Sequence, residues 1–109
     1  GIVTTNTSGQ NAAWQSGYQS LIQSLITGGV PADRIILVKP PSTSANAAGR
    51  GPLNTAIDAI HSALDTKLYD AFADFNANGG DTLFQDALHP NNAGNLLEAA
   101  SIEAIINAG

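Results

Sequence analysis

Arg34-Ile35-Ile36-Leu37-Val38-Lys39 is the stretch that decides the fold of this chain. It is a continuous apolar run with a single cation at each end, which is typical of a strand buried on both faces of a parallel sheet. Pro40 and Pro41 follow at once and end the strand, because proline has no N–H group to donate to a sheet. We therefore expect a buried parallel strand over residues 34–39.

Helical periodicity lies on both sides of this strand. Before it, apolar residues recur at spacings of three and four over residues 11–27, and Asn11 is the expected N-cap. After it, the same periodicity covers residues 52–65, with Pro52 suited to the first turn of a helix. The polar, Gly-containing segment between them, residues 42–51, is predicted to be a loop that lines a cleft.

Two further strands and a last helix complete the predicted order. Residues 1–5 and 66–71 are strand-like, and the C-terminal helix begins after a cap at Asn91 or Asn92. Strands that alternate with helices indicate one α/β domain over residues 1–109, with parallel strands and right-handed crossovers. Three strands make a thin sheet with an exposed edge, and the first strand starts abruptly. We therefore expect an upstream segment or a second chain to complete the fold.

Charge and composition exclude several classes of function. The 109 residues are 43% hydrophobic and 12% charged, with a formal net charge of -5 and four cations in total. No basic cluster exists to neutralise phosphates, so we expect no binding to nucleic acid. The absence of cysteine excludes disulfides, thiolate metal sites and cysteine nucleophiles. The apolar runs are too short to span a bilayer.

A carboxylate and an imidazole lie three positions apart in Asp86-Ala87-Leu88-His89-Pro90, which follows a Gly-rich loop and precedes the C-terminal helix. A serine-type ester hydrolase needs an imidazole to take a proton and a carboxylate to orient that imidazole. Because Asp86 and His89 are three positions apart, one turn of loop can place the carboxylate beside one ring nitrogen of His89. The other ring nitrogen can then face a cleft. The alternative is that Asp86 is a helix cap or surface charge, and that His89 is a solvated residue near a helix N-terminus.

The wider stretch from Asp86 to Gly94, followed by a helix rich in Ala, Leu and Ile, resembles the last sequence block of the SGNH hydrolases, the GDSL esterase and lipase superfamily. Residues 35–41 are similar to the apolar strand of that family that ends in prolines. Residues 68–72 are similar to its short strand before the catalytic loop. The family's G-D-S nucleophile block does not occur in the chain.

The resemblance implies catalytic roles for three residues. His89 would be the general base and then the general acid, and Asp86 would orient it. Asn6 matches the oxyanion-hole Asn in position, although Thr4 and Thr7 stand where the family has Gly and Asp. Asn6 also begins an N-glycosylation sequon, and a glycan there would exclude the oxyanion role. The nucleophilic Ser would come from an upstream segment or a second chain.

The resemblance also implies a fold and an activity for the whole protein. The fold would be a three-layer α/β/α (flavodoxin-like) parallel sheet, of which this chain is the C-terminal part. The activity would be that of a carboxylesterase or acetylesterase without metal or organic cofactor, acting on a small ester or an acylated carbohydrate. We expect the protein to be secreted or extracellular. The alternatives are a non-catalytic SGNH-like domain for assembly or carbohydrate binding, and an unrelated α/β domain in which Asp86 and His89 are incidental.

Other titratable residues give weaker signals. His61 lies at the border of the apolar face of the second helix, and is predicted to be a packing or surface residue. Asp70, Asp74 and Asp81 match no cation-binding loop in their spacing, so we expect them to be solvated or to cap helices.

Overall fold

A computed structural model of the chain describes residues 8–108. Helices and short strands alternate along these residues. In chain order they are α1 (Ser8–Thr27), β1 (Ile36–Lys39), α2 (Ala47–Leu64), β2 (Lys67–Asp70), α3 (Ala71–Ala77) and α4 (Asn92–Ala108). Short 3₁₀ helices lie between them at Ala32–Arg34, Ser44–Asn46 and Gly80–Leu83. The mixed α/β class expected from the sequence is confirmed.

A small parallel sheet is formed by β1 and β2. In its register Leu37 pairs with Leu68, and Lys39 pairs with Asp70. The strands are parallel because α2 returns the chain from the end of β1 to the start of β2. Lys39 Nζ lies 3.0 Å from Asp58 Oδ2 of α2 and 3.2 Å from Asp70 Oδ2. An ion pair therefore fastens the carboxyl ends of both strands to α2.

The first core cluster packs on the face of the sheet that carries Leu37. This side chain is buried together with Ile22 of α1 and with Ile57 and Ile60 of α2. Leu68 of β2 packs against the same cluster. Burying an aliphatic side chain of this size stabilises a fold by about 1.5–3 kcal/mol. The cluster therefore holds α1 and α2 against one face of the sheet.

The second core cluster lies on the opposite face, because successive residues of a strand point to opposite sides. Ile36 of β1 packs against it, and its buried members include Tyr69, Phe75 and Leu83. Leu97, Ile102 and Ile105 of α4 also pack there. Leu83 ties the segment after α3 into this cluster, so the loop that follows is fixed beside α4.

The strand prediction is wrong in two details. Arg34 belongs to the 3₁₀ helix Ala32–Arg34, so β1 begins only at Ile36. Val38 is 37% exposed, so the strand is not buried on both faces at this position. The reason is that, within residues 8–108, β1 pairs with a neighbouring strand along one edge only. In addition, the second core cluster packs against Ile36 and not against Val38. The strand expected at residues 1–5 lies outside the described residues.

Two predicted helix starts are wrong as well. Helix α1 begins at Ser8, so Asn11 lies inside it and is not its cap. Helix α2 begins at Ala47, and the expected loop over residues 42–51 therefore ends at Asn46. The Ala pair at 47 and 48 favours helix, and Pro52 then removes one backbone hydrogen bond from the interior of α2. Across residues 8–108, no helix combines the length and the apolar character that crossing a bilayer requires.

Candidate active site

The segment between Leu83 and Asn91 folds into a closed loop that carries Asp86 and His89. Its base is an antiparallel bridge between Phe84 and Pro90. Gln85 N donates to His89 O at 2.8 Å, and Asn91 N donates to Leu83 O at 2.8 Å. These backbone hydrogen bonds close the loop on itself. They fix its backbone and thereby the positions from which its side chains extend.

The carboxylate of Asp86 organises the inside of this loop. Its Oδ1 accepts hydrogen bonds from Leu88 N at 2.8 Å and from His89 N at 2.7 Å. Asp side chains commonly accept from backbone N–H groups two residues on, which explains the local turn. The N–H of Leu88 contributes most to lowering the pKa of Asp86 to about 2, followed by the His89 side chain and then the His89 N–H. Asp86 is therefore ionised at any pH above about 4.

The imidazole of His89 lies against the same carboxylate. Its Nδ1 is 2.9 Å from Asp86 Oδ2 and 3.0 Å from Oδ1. Since an ionised carboxylate can only accept, Nδ1 carries the hydrogen and Nε2 of the neutral ring keeps its lone pair. No hydrogen bond links Nε2 to another residue between 12 and 108. The His89 side chain is 66% exposed, so Nε2 is available to take a proton from an approaching group.

The segment between β1 and α2 donates hydrogen bonds to this loop and to the 3₁₀ helix that precedes it. Ala87 O accepts from Thr43 Oγ1 at 2.9 Å and from Asn46 Nδ2 at 2.8 Å. Ser44 donates to Asp81 through its backbone N at 2.8 Å and through its Oγ at 2.6 Å. The Ser44 hydroxyl and then the Ser44 N–H lower the pKa of Asp81. The segment between β1 and α2 therefore lies against the loop.

Asn91 connects the loop to α4. Its Oδ1 accepts from Gly94 N at 3.0 Å, so Asn91 caps the helix and is the correct one of the two caps, Asn91 or Asn92, that the sequence allowed. Its Nδ2 donates to Thr82 O at 2.8 Å, on the other side of the loop. The same residue thus caps α4 and closes the base of the loop that carries the Asp86–His89 pair.

The remaining candidates from the sequence lie apart from this pair. Asn6 lies outside the described residues. His61 is half-buried on α2 and makes no hydrogen bond to Asp86 or His89. Asp70 accepts from Ala73 N at the start of α3, as expected for a capping residue. No three His, Cys, Asp or Glu side chains of the described chain are grouped as ligands of a metal ion.

The sequence did not predict Thr43 and Asn46 as partners of the loop. Their polar side chains were visible, but no local spacing connects them to a carbonyl more than forty residues away. Comparison of the chain with protein-family models, with curated proteins and with solved structures finds no match. The residues of the chain and their geometry therefore carry any functional conclusion.

Proposed function

We propose that this chain supplies the acid–base part of an ester hydrolase of the SGNH type. The observation that carries the proposal is the contact of His89 Nδ1 with both carboxylate oxygens of Asp86. It leaves Nε2 directed away from the carboxylate, as a general base requires. Further support comes from the low pKa of Asp86, because an ionised carboxylate stabilises the imidazolium that forms during proton transfer.

The proposed fold is a three-layer α/β/α parallel sheet that an upstream segment or a second chain completes. Support comes from the two parallel strands and from core clusters on both faces of the sheet. The nucleophilic Ser would belong to the completing segment. The proposed substrates are small esters or acylated carbohydrates.

The proposed reaction is acyl transfer in two halves. His89 Nε2 takes the proton of the Ser hydroxyl while the Ser oxygen bonds to the ester carbon. The tetrahedral intermediate then collapses, the ester C–O bond breaks, and the imidazolium gives its proton to the leaving alkoxide. Water repeats the same steps on the acyl-enzyme and releases the acid. Asn6 would donate to the oxyanion, a contribution worth about 3–4 kcal/mol when the donor is preorganised.

The test uses the native gene product that contains residues 1–109. It is treated with a fluorophosphonate, which bonds covalently to an activated Ser, and assayed with p-nitrophenyl acetate. We expect labelling at one Ser outside this chain, and a loss of labelling and hydrolysis of at least ~10³-fold in His89→Ala. His61→Ala is the matched control, because it removes the other histidine of the chain.

Two results would contradict the proposal. If His89→Ala kept the esterase activity of the native product, the imidazole would have no part in proton transfer. If the native product neither reacted with the fluorophosphonate nor hydrolysed the ester, the non-catalytic role in assembly or carbohydrate binding would be favoured instead.

A further inference from the structure

We propose that Thr43 and Asn46 are positioning residues for the Asp86–His89 pair, acting through the peptide bond between Ala87 and Leu88. Both side chains donate to Ala87 O, at 2.9 Å and 2.8 Å. A carbonyl oxygen has two lone pairs, so these two donors can occupy both. No other side chain of residues 12–108 donates to a backbone carbonyl between Asp86 and His89.

The peptide unit between Ala87 and Leu88 connects the two donors to the carboxylate of Asp86. Ala87 O and Leu88 N belong to the same planar group, and in a trans peptide the C=O and the N–H point in opposite directions. The described residues contain no cis peptide bond. Holding Ala87 O from one side therefore directs the Leu88 N–H to the other side, where it donates to Asp86 Oδ1 at 2.8 Å. That carboxylate in turn contacts His89 Nδ1.

The positions of the two donors support this assignment. Asn46 directly precedes α2 and Thr43 directly precedes the 3₁₀ helix Ser44–Asn46, which are positions where such side chains commonly cap the helix. Neither side chain caps its own helix. Thr43 is buried, with 6% of its surface exposed, so its hydroxyl is committed to Ala87 O inside the protein. Both side chains donate to the distant Ala87 O, and neither accepts a hydrogen bond from the N–H groups at the start of its own helix.

The first experiment measures the position of the pair without any catalysis. Thr43→Val combined with Asn46→Ala removes both donors, and Thr55→Val combined with Asn78→Ala is the matched control. Thr55 and Asn78 also donate to backbone carbonyls, but within or next to their own helices. The carboxyl carbon of Asp86 is titrated by NMR, and the exchange of the Leu88 and His89 N–H groups is followed in the same samples.

We expect the pKa of Asp86 to rise from about 2 towards the ordinary value near 4, because its largest stabilising partner is no longer aimed at it. Exchange of the Leu88 N–H should accelerate by at least ~10-fold, while the amides of β1 and β2 keep their protection. If Thr43→Ser replaces Thr43→Val in the double variant, the hydroxyl donor is kept. The rise in the pKa of Asp86 and the acceleration of Leu88 N–H exchange should then both be smaller. Unchanged titration and exchange in the folded double variant would overturn the inference. If the double variant did not fold, Asn46→Ala alone would be used, since Asn46 is exposed.

The second experiment rests on the proposed function and measures ester hydrolysis by the native gene product. Loss of both donors should lower kcat by ~10–100-fold with little change in KM, as expected when a catalytic group is misplaced without loss of substrate binding. An altered Asp86 titration in a product without esterase activity would support the positioning role and contradict the proposed function. Esterase activity that was unaffected by the double variant would overturn the positioning role and leave the proposed function standing.

Discussion

Gly94→Ala tests whether α4 has to touch the backbone of the loop that carries Asp86 and His89. Gly94 is buried in the first turn of α4. A Cβ atom at this position would lie 2.5 Å from Leu83 O, and 3.1 Å from both Phe75 Cε2 and Pro90 Cβ. Glycine is therefore required here for the close approach of two backbone segments.

Two opposing terms set the size of the effect. Alanine favours helix over glycine by about 1 kcal/mol, which would stabilise the variant. Against this, the new methyl group lies about 0.9 Å closer to Leu83 O than ordinary carbon contacts allow. Leu83 O cannot retreat without weakening its hydrogen bond from Asn91 N. Overpacking of this kind costs about 1–3 kcal/mol, and loss of that hydrogen bond adds about 1 kcal/mol. We expect a net destabilisation of about 1–3 kcal/mol.

Urea unfolding followed by circular dichroism measures this change, and Gly17→Ala is the matched control. Gly17 lies inside α1, and a Cβ atom there would meet nothing within 4 Å. The control should therefore gain about 0.5–1 kcal/mol. Opposite signs for the two variants are the expected result. If Gly94→Ala were stabilised as much as Gly17→Ala, the close packing of α4 on the loop would be refuted.

Three further predictions concern single side chains. Asp86→Asn keeps an acceptor for the loop amides but no charge. The carboxylate, with its lowered pKa, stabilises the fold above pH ~4, and this contribution is lost as the pH falls to ~2. The urea midpoint of the native chain should therefore approach that of the variant over this range, and a constant difference would contradict the assignment. Burial, and then its hydrogen bond to Asp74, raise the pKa of Tyr69, so Tyr69→Phe should cost about 1–2 kcal/mol at pH 7. The cost should disappear only well above pH ~10, and a variant as stable as the native chain at pH 7 would refute it. Asp65 ends α2 with φ at 61°, so Asp65→Gly should raise the thermal midpoint by relieving about 0.5–1 kcal/mol of strain, and a lowered midpoint would contradict this.

Local spacing predicted the contact between Asp86 and His89, because they are three positions apart and the intervening loop can close on itself. The cap of α4 was predictable for the same reason, since Asn91 acts on an N–H group only three residues away. The starts of α1 and α2 were not, because one capping residue is worth only about 1 kcal/mol, and the helix propensities of several neighbouring residues such as Ala47 can together outweigh it. The partners of Ala87 O were beyond prediction, because they depend on how β1 and α2 place a distant segment beside the loop.

The exposure of the pair sets a requirement for the proposed enzyme. In the described residues the side chains of His89 and Asp86 are 66% and 52% exposed, so water screens their interaction. Proton transfer and oxyanion stabilisation are most effective in a site from which water is excluded. In the proposed enzyme, the segment that brings the nucleophilic Ser must therefore also cover this loop. The hydrogen bonds from Thr43 and Asn46 are suited to that arrangement, because they fix the pair from the side away from its carboxylate and leave His89 Nε2 open to the incoming hydroxyl.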